Sequence, residues 1–235
     1  MVDAQLGHDG TTFMIPQDSK RMTEETGEDL ATAKRILGLE EKWLQPFQAR
    51  DPFNDGLEVE GFLSIRPDHR YGALAITRVA GRPVPQVIAA TPKLHYPFDK
   101  VGTFRFPPVA KLSFYEKLDG TNVLAYRYRA AEGRSYLSYK LRLAPFLRNG
   151  KWGEFLDLWR ELLARHPSIP QLVDLNRCHM SFEMYGSRNT HLIEYEVGLE
   201  AAALFGVDAA FRVVPIYRLD LRGVPAAPCL GELSA

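Results

Sequence analysis

Two spacings of hydrophobic and polar residues alternate along this chain, and they divide it. Leu57 to Ile65 alternates apolar with polar or small residues, and Tyr71 to Val79 repeats the pattern after Pro67-Asp68-His69-Arg70. That is the signature of a β segment folded back on itself, to which Val84–Ala90 adds a third strand. Ala110–Tyr115, Asn122–Arg129, Ser135–Leu143, Cys178–Tyr185 and Val197–Leu204 carry further strand patterns. Helical spacing appears in three places. Thr23–Leu39 has an N-capping Thr23, acidic first turns and an apolar face of Leu30, Ala33, Ile36 and Leu37, and Gly38 stands where it would end. In Lys151–Arg165, Trp152, Phe155, Leu156, Trp159, Leu162 and Leu163 recur at three- and four-residue steps, the stripe of a core-facing helix that His166-Pro167 ends. Ser168–Asn176 reads as a second short helix. Residues 1–20 are polar and aperiodic, a loose arm. Residues 43–55, with Pro46 and Pro52, read as a connector, and residues 91–108 as a proline-interrupted linker. No internal repeat is present.

This order of elements predicts an α+β protein in two parts: residues 1–95, a small β-containing N-terminal module with one helix, and residues 96–235, a larger antiparallel-sheet domain. The chain has 235 residues, 46% hydrophobic and 25% charged, the composition of a globular protein. No run approaches the ~20 apolar residues that span a bilayer, and the first residues carry no signal-peptide pattern. Cys178 and Cys229 make no disulfide framework and read as free thiols of a cytoplasmic protein. With 29 basic and 29 acidic residues the net charge is zero, which argues against a protein that coats nucleic acid. Between Arg127 and Arg165, however, arginine and lysine outnumber the acids, enough for a local face that holds an RNA end.

The six histidines form no metal-binding spacing, and no phosphate-loop motif is present. Chemistry concentrates at Phe114-Tyr115-Glu116-Lys117-Leu118-Asp119-Gly120-Thr121-Asn122. Read alone, this stretch is open to two accounts. One is a β-hairpin with an Asp-Gly turn and a solvated lysine. The other is a lysine desolvated between apolar runs and therefore nucleophilic, beside a glycine that turns sharply or lets the backbone approach a phosphate.

Lys117-Leu118-Asp119-Gly120 resembles motif I (K-x-D-G) of the covalent nucleotidyltransferases, which include DNA ligases, RNA ligases and capping enzymes. Ser181-Phe182-Glu183-Met184-Tyr185-Gly186 is similar to motif III, and Ala203-Leu204-Phe205-Gly206-Val207 to motif IIIa, in the family's order. Asn122, where DNA ligases and capping enzymes usually carry arginine, favours the RNA ligase branch. The resemblance spans about residues 97–215. It implies an ATP-grasp-like nucleotidyltransferase fold and an ATP-dependent RNA ligase that forms a lysyl-AMP intermediate and seals 5′-phosphate to 3′-hydroxyl RNA ends, as in RNA repair. The implied cofactors are ATP and Mg2+ (or Mn2+).

The implied site comprises Lys117 as nucleophile, the backbone of Glu116 against the base edge, and Asp119 and Gly120 of the motif loop. Asn122 would hold the nucleotide or RNA end, and Glu183 the ribose or the metal. Phe205 would stack on adenine, and Arg142, with Lys140 as fallback, would meet a phosphate. No protein metal ligand set is expected.

Motifs IV and V of the family are not found. The last lysine is Lys151, Gly206 stands where many relatives are acidic, and the Pro/Ala/Gly-rich tail from Arg218 resembles no catalytic strand. The implied domain is therefore incomplete. The alternatives are a truncated or split enzyme completed by a second chain, a non-catalytic nucleotide- or RNA-binding remnant, and a DNA ligase or capping-type guanylyltransferase.

Overall fold

The computed structural model describes residues 4–6, 12–14, 17–92, 98–104, 111–151 and 153–234. After a short hairpin of β1 (Ala4–Leu6) and β2 (Thr12–Met14) comes α1, Gln17–Leu37. The helix starts earlier than the Thr23 cap suggests and stops where expected. Gly38 takes φ +61°, and Leu39 N–H reaches back to Lys34 O at 3.1 Å, a left-handed glycine ending. Arg70 Nη1 donates to the freed Leu37 and Gly38 carbonyls.

A four-stranded antiparallel sheet follows in the order β3 (Leu44–Asp51), β4 (Leu57–Ser64), β5 (Leu74–Val79), β6 (Arg82–Ile88). The residue 43–55 connector is therefore mostly a strand. Proline signals a break only where a ladder needs its N–H, and β3 lies on the sheet edge, where Pro46 is tolerated. The alternation on β4 and β5 sorts the two faces. Phe62, Ala73 and Ala75 pack under Ala33 and Leu37 of α1. Val59, Leu63, Leu74 and Ile76 face the other way, against Tyr126, Tyr128 and Phe146.

The second sheet has five antiparallel strands in the order β12 (Val213–Pro215), β11 (Glu200–Val207), β10 (His179–Tyr185), β8 (Thr121–Arg129), β9 (Ser135–Lys140). One face is covered by α2 (Phe155–Arg165) and α3 (Ile169–Asn176). Leu158, Trp159, Leu162, Ile169 and Leu172 bury Val123, Ala125, Met180, Phe182 and Met184. The stripe on α2 is thus core, although the helix begins at Phe155 rather than Lys151, and Trp152 lies outside the described residues. The opposite face meets the four-stranded sheet at its β8–β9 end, through Tyr126 and Tyr128.

Buried Asp51 ties the two sheets together. It accepts hydrogen bonds from Tyr128 Oη (2.8 Å), Ser138 Oγ (2.9 Å), Asn54 Nδ2 (2.7 Å) and the Phe53 N–H (2.9 Å). Four donors satisfy a carboxylate that has left water.

The hairpin reading of the Lys117 stretch is overturned. β7 (Lys111–Tyr115) does not pair with β8; it forms a separate two-stranded ribbon with β13 (Cys229–Ser234). The Pro/Ala/Gly-rich tail supplies that partner strand. Pro225 O accepts from Ala203 N–H and Ala227 N–H donates to Ala203 O, so the tail runs beside β11 before it reaches β7. Both described cysteines are free. No helix among the described residues is long and apolar enough to cross a membrane.

Candidate active site

Strand alternation selects the residues of the site. On β8 and β10, Val123, Phe182 and Met184 turn toward the helices, so Asn122 and Glu183 turn to the opposite face, where the strands pair Glu183 with Asn122. On β11 a bulge disturbs the alternation: the register passes from Ser181↔Phe205 to Phe182↔Ala203, leaving Leu204 unpaired. Adjacent Leu204 and Phe205 consequently both line one cleft. That cleft, about 400 Å³, opens where the four-stranded sheet stops covering the five-stranded one. Lys117, Glu116, Asn122, Arg142, Glu183 and Phe205 line it together with Thr91, Tyr115, Leu118, Leu204 and Ala227. Six residues singled out from sequence, spread from Glu116 to Phe205, share one wall.

Lys117 is exposed on the rim. The desolvation expected from its apolar neighbours is absent, because Leu118 and Tyr115 turn inward, to a small cluster with Ala202 and Ala227, and leave the lysine outside. The backbone N–H of Glu116 donates to Pro228 O at 2.9 Å, which commits that donor within the protein rather than to a base edge.

Gly120 is needed for a reason other than a turn or a phosphate. A Cβ there would stand 2.1 Å from the Met184 carbonyl oxygen, so only glycine lets β8 enter the sheet beside β10. Asp119 points away from the cleft wall. Its Oδ2 accepts from the N–H groups of Leu192 (2.5 Å) and Ile193 (2.9 Å), which hold its carboxyl below the usual carboxylate range.

Asn122 is fully engaged. Its Nδ2 donates to Ser181 Oγ (3.0 Å) and Phe182 O (3.1 Å) and approaches Glu183 Oε2 at 3.5 Å, while its Oδ1 accepts from Thr91 Oγ1 at 2.9 Å. Glu183 is half-buried, and desolvation raises its carboxyl above the usual range. The Asn122 amide, the Gly120 N–H and the charge of Lys117 pull the other way.

Arg142 Nη2 reaches Pro92 O at 3.5 Å, and its buried Nε has no hydrogen-bond partner among the described residues. Lys140, the fallback for the phosphate-binding role, is excluded from it. Its Nζ is buried and donates to the carbonyls of Gly72 (3.0 Å), Leu141 (2.8 Å) and Arg142 (3.0 Å). Burial, then the neighbouring Arg142, pushes its pKa down to about 7. Of the basic residues between Arg127 and Arg165, Arg142 alone lines the cleft. Arg127 pairs with Asp174, and Arg165 donates to Leu199 O, so these residues do not make one basic face.

Sequence reasoning missed Thr91, which holds Asn122, and the loop between β10 and β11, whose Tyr195 hydroxyl accepts the Asp119 N–H at 2.7 Å. No local signal marks either one; both act through contacts distant in sequence. No group of three or more His, Cys, Asp or Glu that could hold a metal ion occurs among the described residues.

Two packed antiparallel sheets, with helices on the outer face of one and a cleft where the other stops covering it, make an α+β fold. It is shared with two solved structures of archaeal ATP-dependent RNA ligase. Form 1 matches with a TM-score of 0.55 at 14% identity, over 87% of this chain and 54% of that one. Form 2 matches with a TM-score of 0.53 at 18% identity, over 94% of this chain and 54% of that one. The chain thus spans about half the length of the structures it matches. Residues 96–235 are 140 of 235, well short of 87%, so the shared fold takes in most of the N-terminal segment as well. No protein-family model matches the sequence, and no curated protein matches it significantly.

Proposed function

We propose that the chain is an ATP-dependent RNA ligase-like adenylyltransferase with Lys117 as its nucleophile. The observation that carries this reading is the convergence of Lys117, Glu183, Phe205 and Arg142 on a single cleft. The cleft suits a nucleotide: Leu118, Leu204, Phe205 and Ala227 give an apolar slot in which an aromatic face stacks on a base. The polar groups lie at its edges. Arg142 brings a guanidinium to one edge, where its charge would pair with a phosphate oxygen.

In the first step Lys117 Nζ attacks the α-phosphorus of ATP. The N–P bond forms as the bond to pyrophosphate breaks, and the amine loses its proton to water. An oxygen of an RNA 5′-phosphate then displaces the lysine, taking the AMP, and a 3′-hydroxyl displaces AMP to close the phosphodiester. These are in-line displacements, in which positioning and charge neutralisation supply most of the rate. Glu183, carrying a raised carboxyl, accepts from the ribose or orients the lysine, and Asn122 acts by fixing Glu183.

For Mg2+ the described residues offer Glu183 and Glu116 but no ligand cluster. They fit an ion carried mainly by the triphosphate and water, not a resident metal centre.

A second reading has its own support. Lys117 and Arg142 are the only lysine or arginine side chains lining the cleft among the described residues. A nucleotide- or RNA-binding protein, or an enzyme completed by a second chain, accounts for that. ATP labelled at the α-phosphate separates the readings. An acid-labile, alkali-stable label on the denatured chain is a phosphoramidate and supports adenylylation. Saturable ATP binding with no retained label supports the second reading and rejects the first.

A further inference from the structure

The stretch that carries Lys117 has no ladder of its own. β7 ends at Tyr115 and β8 begins at Thr121. Between them, no main-chain hydrogen bond outside the strand ladders involves Lys117, Leu118, Asp119 or Gly120 among the described residues. Four such residues would leave the lysine free to wander, yet in-line attack tolerates little: a misplacement of ~1 Å costs about a hundredfold.

Apart from the Leu118 cluster and the Gly120 N–H on Glu183, the contacts come from one place, the loop 186–198 between β10 and β11. Tyr195 Oη accepts the Asp119 N–H at 2.7 Å. The N–H groups of Leu192 and Ile193 close on the Asp119 carboxylate. Asn189 Nδ2 donates to Thr121 Oγ1 at 3.1 Å, with His191 Nε2 3.2 Å from the same oxygen.

The loop is itself fixed, so it can hold something else still. Its neck is closed by Ser187 N–H to Val197 O and Arg188 N–H to Gly198 O, each 2.9 Å. That closure requires Gly186, at φ +128°, where a Cβ would stand 2.7 Å from Gly198 O. Asn189 Nδ2 also donates to Met184 O at 2.6 Å, and the Tyr195 ring packs edge-on against Tyr185 with centroids 5.0 Å apart.

We propose that Tyr195 is a positioning residue for Lys117: through its hydroxyl on the Asp119 N–H, the loop 186–198 sets where the lysine stands relative to the cleft. The proposal rests on the adenylyltransferase reading for its catalytic consequence, but the hold on the backbone does not depend on that reading. It assigns a task to a loop that lines no part of the cleft wall, and it explains the outward turn of Asp119, whose carboxylate grips the loop rather than the ligand.

The test compares the full-length parent with Tyr195→Phe, which keeps the ring on Tyr185 and removes only the acceptor. Two readouts are taken: amide hydrogen exchange of the peptide covering residues 116–121, and the single-turnover rate of AMP incorporation against ATP concentration. The proposal expects exchange in that peptide to quicken about tenfold or more with β10 and β11 unchanged, since a hydrogen-bonded amide becomes free. It also expects the maximal incorporation rate to fall about 10- to 100-fold at an unchanged half-saturating ATP concentration.

Unchanged exchange, or an unchanged incorporation rate, overturns it. So does a fall in rate accompanied by faster exchange throughout the sheet, which is loss of fold. If the parent incorporates no AMP, the adenylyltransferase reading has failed, and the exchange arm alone decides whether Tyr195 holds the segment. Asp119→Asn, which weakens the grip from the other side, should quicken the same peptide; no change there also counts against the proposal.

Discussion

Lys140 and Arg142 stand two positions apart on one strand end and meet opposite fates. Lys140 is swallowed by three carbonyls, while Arg142 lines the cleft and its Nε has no hydrogen-bond partner among the described residues. The sequence marks both as basic and offers no way to choose, because the choice is made by the Gly72 turn, far away in the chain. A Cβ on Gly72 would stand 2.3 Å from the Arg142 carbonyl. Lys117, Glu183 and Phe205, singled out from their motifs, do line one cleft, although Lys117 lies in the unpaired stretch between β7 and β8 and Phe205 beside a bulge that only the pairing of β10 with β11 reveals.

Glu183 gives the sharpest residue-scale expectation. Burial raises its carboxyl, so folding favours the protonated form. That contribution is full below the ordinary carboxylate range and is lost as pH rises through the raised value. At pH 7 the ionised Glu183 therefore costs stability, and Glu183→Gln should melt higher than the parent, by about 2–4 °C for each kcal/mol relieved. At pH 4 the gap should close. AMP incorporation should be lost at both. Thermal melts at the two pH values check the sign.

Among the elements, strand existence followed from alternation, and the errors came where pairing was decided at long range. β7 and β8 flank an Asp-Gly and invite a hairpin, yet β7 pairs with a tail strand more than a hundred residues later. β3 carries Pro46 and was unreadable as a strand until its edge position was known. Gly120 belongs to this scale. Replacing it with alanine drives a methyl group into the Met184 carbonyl, and Gly120→Ala should lower stability by about 1–3 kcal/mol in urea unfolding. Lys140→Met should cost at least about 2 kcal/mol, because one buried and two part-buried carbonyls lose their donor. If Lys140→Met were neutral, the carbonyls would have to be reached by water in the native state.

For the whole molecule, reading the chain as two parts divided near residue 95 says nothing of the packing across that division. Val59, Leu63, Leu74, Ile76 and Ile88 share one core with Tyr126, Tyr128 and Phe146. Thr91 and Pro92 hold Asn122 and Arg142 in place. No periodicity reports which sheet face meets which. A chain beginning at residue 96 would expose those aromatic residues and lose Asp51, the acceptor for the Tyr128 and Ser138 hydroxyls, so it should lack a cooperative melt and near-ultraviolet circular dichroism. A cooperative transition in that fragment would mean that the shared core is dispensable.

The central claim is that Lys117, held on the rim of this cleft, takes AMP from ATP. Intact-protein mass after incubation with ATP and magnesium, beside Lys117→Ala, tests it most directly. The account predicts a gain of one AMP in the parent and none in the variant. A folded parent with no gain, or an equal gain in Lys117→Ala, would contradict it.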